Sequence, residues 1–136
     1  MSQENVETIR EMFAIFNERG VQAAVDAFGH LLAPDFRLEE TAELPDPGAY
    51  AGREAFIANL AKLEEAFDEV RMEPLEVHDL DDKIVAVVSI RARGRGSGAP
   101  VETTFAQLWS LRDGKAVSLR DFPTEDKALE AVGLSE

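Results

Sequence analysis

The sequence predicts an α+β fold, in which a curved antiparallel sheet wraps around N-terminal helices and forms a cone with a central cavity. Two observations favour this fold. Apolar residues recur at helical spacing through much of residues 1–70, whereas residues 71–136 read mostly as strands separated by turn residues. No Ser- or Gly-rich linker and no internal repeat divides the chain, so we interpret residues 1–136 as a single domain.

Three amphipathic helices are predicted in the first half. The first follows an N-cap at Ser2 and ends at Gly20, the second stops before Pro34, and the third follows Gly52. Each carries one apolar stripe that would pack against a sheet. In chain order the stripes are Val6, Ile9, Phe13 and Phe16; Val21, Val25, Phe28 and Leu32; and Phe56, Leu60, Leu63 and Phe67.

Five strands and a short last helix complete the prediction. Leu44–Gly52 reads as a loop because it holds two prolines and two glycines, and Pro74 places its strand at an edge or a bulge. Asp113-Gly114 is a strong hairpin signal, and Thr124 is a helix N-cap. The predicted strands span about 35–42, 71–79, 84–95, 101–112 and 115–122.

Composition excludes several classes of function. The chain has 27 acidic and 14 basic residues, a net charge of −13, which argues against binding to nucleic acid or to an anionic membrane. It has no Cys, so disulfides, thiolate metal sites and a Cys nucleophile are excluded. No apolar run approaches the roughly 20 residues of a membrane span, and the polar N-terminus is not a secretion signal. We therefore expect a cytoplasmic protein.

With this order of predicted helices and strands, the chain resembles the SnoaL-like branch of the nuclear transport factor 2-like superfamily. The segments that carry the resemblance are Ile9–Asn17, Leu31–Leu38, Tyr50–Phe56 and, most specifically, Phe105–Arg120 with its Trp-bearing strand and Arg-Asp-Gly-Lys hairpin. The resemblance implies the cone fold and a homodimer through the convex face of the sheet. It does not imply one activity, because this fold hosts isomerases, cyclases, epoxide hydrolases, dehydratases and non-catalytic binding modules.

Glu40 is the first candidate for chemistry, because it continues the inward alternation of Phe36 and Leu38. A carboxyl on an apolar face has a raised pKa through desolvation, which suits an acid or base near neutral pH. The resemblance places it near the general-base carboxylate of ketosteroid isomerase-like relatives. The alternative is a strand that ends at Leu38, with Glu40 solvated at the rim.

Gln107 and Asp121 are the other two candidates. Gln107 is an amide among large apolar residues, and its NH2 group could stabilise an oxyanion; alternatively, backbone or a neighbouring side chain satisfies it. The resemblance places it at the oxyanion-stabilising acid of the isomerases. Asp121 matches approximately the acid/base aspartate of SnoaL-like cyclases. Alternatively, it pairs with Arg120 or Arg91, or caps the turn at Pro123.

The remaining candidates are lining residues and charged side chains. Isomerases of this superfamily place an oxyanion-donating Tyr on the first helix, where this sequence has Met12 and Phe13, so a strict isomerase is not expected. The three arginines at 91, 93 and 95 are predicted to pair with acids on neighbouring strands or across a dimer. The aromatic residues interpreted as core or ligand-binding cavity lining are Phe13, Phe16, Phe28, Tyr50, Phe105 and Trp109.

Two hypotheses follow from these residues. The first is a small-molecule protein that binds an apolar or polyketide-like ligand and, as an enzyme, moves a proton next to a carbonyl as an isomerase or cyclase, without a cofactor. The second is a non-catalytic module for binding a hydrophobic ligand or for association. No metal site is predicted, because His30 and His78 are isolated from any spaced third ligand.

Overall fold

The computed structural model describes residues 2–40 and 49–133, which form helices on both sides of one six-stranded sheet. The sheet is curved, unclosed and mostly antiparallel, as the sequence predicts. The helices are α1 (Ser2–Arg19), α2 (Val21–Phe28), α3 (Arg53–Ala66) and α4 (Glu125–Ala131), with a 3-10 turn at Gly29–Leu31. The strands are β1 (Leu32–Glu40), β2 (Ala49–Ala51), β3 (Phe67–Asp79), β4 (Lys83–Gly94), β5 (Pro100–Arg112) and β6 (Lys115–Phe122).

The strand order is β2-β1-β6-β5-β4-β3. Strands β3 to β6 form an antiparallel meander, in agreement with the turn and hairpin signals. Strand β1 pairs with β6 in parallel and with β2 in antiparallel orientation. The first strand is therefore next to the last one, which brings the residues after α2 beside the C-terminal end of the meander.

Three expectations about the first half are corrected. Phe67 opens β3 and pairs with Gly94, so it does not extend the stripe of α3. At the end of α3 the Arg95 Nε donates a hydrogen bond to the Glu64 carbonyl (2.7 Å), and the Arg95 amide donates one to the Ala66 carbonyl (3.0 Å). These bonds satisfy carbonyl groups that have no partner within the helix. Leu32 belongs to β1, which begins earlier than predicted. The loop predicted at Leu44–Gly52 includes β2. Residues 44–48 of that loop and residues 41–42 of the predicted first strand lie outside the described residues.

Two hydrophobic clusters pack on opposite faces of the sheet. The inner cluster joins α1, α2 and α3 to the concave face through residues such as Phe13, Phe56 and Trp109. The outer cluster is smaller and joins α4 to Leu108 and Phe122. Thr124 is the predicted N-cap of α4, since its hydroxyl accepts a hydrogen bond from the Lys127 amide (3.2 Å). The inner cluster surrounds the cavity described below.

Strand β3 is an edge strand, and its bulge near Pro74 agrees with the sequence prediction. The Asn17 side chain on α1 binds this edge. It donates to the Met72 carbonyl (2.6 Å) and accepts from the Met72 amide (2.8 Å). Asn17 thus replaces the strand that would otherwise pair with Met72, and it fixes α1 against β3.

Among the helices described by the structure, none has the length and hydrophobicity that crossing a membrane requires.

Candidate functional site

A cavity of about 320 Å³ lies between the three N-terminal helices and the concave face of the sheet. Apart from Gln107 and Asp121, the described residues that line it are apolar or glycine. They are Met12, Phe13, Phe16, Ala24, Val25, Phe28, Gly29, Leu32, Leu38, Phe56, Ile57, Leu60, Met72, Ile90, Phe105, Trp109 and Leu119. A cavity of this kind, apolar with a few convergent polar groups, is typical of a small-molecule site.

Gln107 and Asp121 are neighbours in this wall. The register of β5 and β6 places them directly opposite each other, and both line the cavity. Residues paired in this way have Cβ atoms about 5 Å apart, so a single small ligand can contact both side chains. The next strand, β1, places Glu40 beside Asp121 in the parallel register. The three candidate residues therefore follow one another across β5, β6 and β1.

The described geometry differs among these three candidates. Gln107 is buried, with 7% of its surface exposed, and Asp121 is partly buried. For Glu40 the backbone position is described, whereas its side chain lies outside the described part of the structure. Arg91 pairs with Glu102 (3.0 Å), and the guanidinium of Arg120 lies 4.9 Å from the centre of the Phe122 ring.

The Gln107 amide has a neighbouring side chain as its partner, which is one of the alternatives that the sequence left open. The indole Nε1 of Trp109 donates to the Gln107 Oε1 at 3.1 Å, between two buried side chains. An indole N–H is only a donor, so the amide oxygen faces Trp109. The described residues give the Gln107 Nε2 group no hydrogen-bond partner.

Five of the six predicted aromatic lining residues line this cavity: Phe13, Phe16, Phe28, Phe105 and Trp109. The side chain of Tyr50 lies outside the described residues. Met12 also lines the cavity, so the helix that carries a phenol in the isomerases presents a thioether and phenyl groups in this chain.

Several cavity residues have no clear signal in the sequence. Met72 and Ile90 lie on β3 and β4, and Ile57 on α3 falls outside the predicted stripe. Strand alternation with Val88 could have assigned Ile90 to the inner face. Met72 had no such signal, because the bulges in β3 interrupt its alternation.

Several charged residues outside the cavity form ion pairs. Arg91, Arg93 and Arg95 bind Glu102, Glu69 and Asp68 on the neighbouring strands, at 3.0, 3.3 and 2.6 Å, as predicted for acids on adjacent strands. They are more than half exposed, so each pair contributes little to stability.

Of the two histidines, His30 is exposed, and His78 is half-buried on the outer face. The His78 Nε2 lies 2.6 Å from a carboxylate oxygen of Glu125, which ties β3 to the start of α4. Ligand atoms of Glu76, His78 and Glu125 lie within 4.8 Å of one another. This group is on the opposite face of the sheet from the cavity.

The model of the SnoaL-like domain family matches residues 9–119 of the chain. That segment includes most of α1, all of α2 and α3, most of the sheet and every described cavity residue except Asp121. A search of curated proteins gave no match.

Many solved structures share the fold. A protein of Jannaschia sp. CCS1, provisionally named a SnoaL-like polyketide cyclase, superposes with a TM-score of 0.74 at 23% identity and covers 99% of this chain and 94% of its own. AclR of Streptomyces galilaeus, provisionally named a hydroxylase, gives 0.72 at 15% identity, with 100% and 89% covered. TerC, co-crystallised with polyporic acid, gives 0.69 at 20% identity, with 95% and 98% covered. At these identities the likeness concerns the fold.

Proposed function

Since this chain belongs to the SnoaL-like domain family, we propose that it binds a small apolar carbonyl compound in the cone and moves a proton on the carbon next to the carbonyl. The observation that carries the proposal is the pairing of Gln107 with Asp121 in an otherwise apolar cavity. One residue supplies a hydrogen-bond donor and the other a carboxylate, and cross-strand pairing of this kind places their Cβ atoms about 5 Å apart. These are the two groups that enolisation requires.

The reaction needs no oxidant or reductant. The Asp121 carboxylate takes a proton from the carbon beside the carbonyl, and the electron pair of that C–H bond forms a C=C bond. The carbonyl oxygen takes the negative charge, and the Gln107 NH2 group donates to it. In an isomerisation the substrate also carries a C=C bond conjugated with the enolate, and Asp121 returns its proton to the far carbon of that dienolate. In a cyclisation the enolate carbon attacks a second carbonyl carbon, the C=O electron pair moves to its oxygen, and this alkoxide takes the proton from Asp121.

The size and lining of the cavity restrict the ligand. A cavity of about 320 Å³ suits a compound of one to three rings, and the phenyl groups of Phe13, Phe16 and Phe105 suit flat apolar rings. The provisional name of the Jannaschia protein, a SnoaL-like polyketide cyclase, supports a polyketide-like compound, and TerC, which shares the fold, was co-crystallised with polyporic acid. We therefore propose an aromatic or polyketide-like ketone as the ligand class.

A second candidate function is binding without turnover. The observation that favours it is the apolar character of the first helix, where Met12 and Phe13 offer no donor for the oxyanion. Gln107 alone would then stabilise the enolate, and a neutral amide donates more weakly than a protonated carboxyl. On this alternative the carbonyl is held but its neighbouring carbon exchanges no proton.

Deuterium exchange distinguishes the two functions. The protein is incubated with 2-acetylnaphthalene, an enolisable aromatic ketone, in D2O, and the methyl signal is followed by proton NMR. Proton transfer predicts that the signal disappears faster with wild-type protein than with Asp121→Asn or with buffer. Glu40→Gln is run in parallel, because its position beside Asp121 makes it the alternative base. A ketone that binds and exchanges at the buffer rate contradicts catalysis and supports a binding module.

A further inference from the structure

We infer that Trp109 determines the ligand preference of the cavity by holding the Gln107 carboxamide in one orientation, so that the cavity presents an NH2 donor and selects a ligand with a hydrogen-bond acceptor. This inference rests on the proposed function, because it names the group of that site which recognises the carbonyl. Trp109 acts through Gln107 and is therefore a positioning residue.

A carboxamide is ambiguous as a recognition group, since one end donates and the other accepts. Rotation of Gln107 by half a turn about its last side-chain bond would exchange the two ends. The cavity would then present an oxygen next to the Asp121 carboxylate, and a carbonyl ligand would meet acceptors alone. Recognition of a carbonyl therefore needs something that fixes the amide.

The Trp109 indole supplies that constraint. Its Nε1–H lies 3.1 Å from the Gln107 Oε1, and an indole nitrogen cannot accept a hydrogen bond. A rotated amide would place two N–H donors against each other in a site where 4% of Trp109 and 7% of Gln107 are exposed. A buried N–H group without an acceptor costs more free energy than one hydrogen bond contributes, so the orientation in which the Gln107 Oε1 faces the indole is strongly preferred.

The indole is itself held in place by its surroundings. Trp109 is two residues from Gln107 on β5, so both side chains lie on the same face of the strand. Its ring packs beside the fully buried Phe36, with 6.3 Å between ring centroids, and it also lines the cavity. The donor that orients Gln107 therefore has little freedom to move.

Trp109 is the single tryptophan of the chain, so the orientation can be tested on one NMR signal. In 15N-labelled protein the indole N–H is expected to exchange slowly with D2O and to shift when Gln107 is replaced by Leu. An indole signal that exchanges at the rate of free tryptophan, or that is unchanged in Gln107→Leu, would overturn the inference. This arm needs no ligand and is independent of the proposed function.

Calorimetry tests ligand preference with two probes of equal shape, 2-acetylnaphthalene and 2-isopropenylnaphthalene, in which a CH2 group replaces the carbonyl oxygen. Wild-type protein is expected to prefer the ketone by roughly fivefold, the value of one net hydrogen bond. Trp109→Phe keeps an aromatic ring but removes the donor, so the preference should fall to about one. If Trp109 serves only as part of the cavity wall, Trp109→Phe would lower the affinity for both probes equally. The ratio of the two affinities would then be unchanged, which would contradict the inference.

Gln107→Leu is the matched control. It removes the NH2 donor at the same position with a side chain of similar size that cannot ionise, so the preference for the ketone should be lost although Trp109 is intact. If neither probe binds the wild-type protein, the proposed ligand class fails and the assigned preference fails with it. If both bind and the ratio is the same in wild-type and Trp109→Phe proteins, the apolar cavity site survives and the positioning role is rejected.

Discussion

At the scale of single residues, the cavity depends on a donor and an acceptor that the sequence identified separately. Strand alternation singled out Gln107 as an amide among apolar neighbours and Asp121 as an acid on the face of Leu119. That they stand opposite each other depends on the register of β5 and β6, which includes an irregularity between Ser110 and Leu111. The Asp113-Gly114 turn alone would pair Gln107 with Arg120, and the irregularity shifts the register by one residue to Asp121, so their pairing could not be predicted.

Replacement of Asp121 by Asn should abolish proton exchange on the ketone and preserve folding. The amide has nearly the shape of the carboxylate and cannot take the proton, so the rate should fall by about 100-fold or more. Asp126→Asn is the matched control, since Asp126 is exposed in the first turn of α4, outside the cavity. Equal exchange rates for Asp121→Asn and wild-type protein, measured at equal Tm, would contradict the role of Asp121.

At the scale of secondary-structure elements, side chains from distant segments hold the cone together. The periodicity of α1 and α2 predicted their apolar faces, because that signal is local. The contacts that end α3 at Ala66 and dock α1 on Met72 come from Arg95 and Asn17. These are separated by many residues along the chain, so no local pattern could reveal them.

Asn17→Ala should destabilise the protein, because it leaves the Met72 amide and carbonyl on a part-buried edge without their partner. We expect a loss of about 1–3 kcal/mol in the free energy of unfolding, measured by urea denaturation. Glu18→Ala, at the exposed neighbouring position of α1, is the control and should change stability by about 0.5 kcal/mol or less. Similar losses for the two variants would show that the Asn17 contacts do not stabilise the cone.

Glu64→Ala should weaken the junction of α2 and α3. The Glu64 carboxylate accepts a hydrogen bond from the Val21 amide (3.1 Å) in the first turn of α2, where the preceding N-cap is Gly20 and has no side chain. The expected loss is about 0.5–1.5 kcal/mol, determined from thermal or urea unfolding. Glu65→Ala removes the neighbouring exposed acid, and a loss as large in that variant would refute the capping role.

At the scale of the whole molecule, the fold class was predictable and the ligand was not. The change from helical to alternating patterns, the Asp113-Gly114 hairpin and Pro74 were sufficient for the curved meander and its edge strand. Charge was informative about the surface, since acids such as Glu7 and Glu11 lie exposed on the helices. The identity of the ligand depends on the shape of the cavity, which the three N-terminal helices and the sheet form together. No single segment of the sequence determines that shape.

We also expect the whole molecule to be a homodimer through the outer face of the sheet. Helix α4 packs on this face near Leu108 and Phe122, and Arg91 and Glu102 form an exposed pair between β4 and β5. Light scattering at micromolar concentration should give twice the chain mass of 15.0 kDa. A mass of one chain would contradict the dimer.

In the proposed function the cone holds a carbonyl group against the NH2 group of Gln107, beside Asp121. This contact can be measured through the 13C signal of 2-acetylnaphthalene labelled at the carbonyl carbon, recorded on the bound ketone. A hydrogen bond to the oxygen withdraws electron density from that carbon, so the signal in wild-type protein should lie downfield of the signal in Gln107→Leu. A bound ketone with the same carbonyl shift in both proteins, or one that does not bind, would contradict the claim.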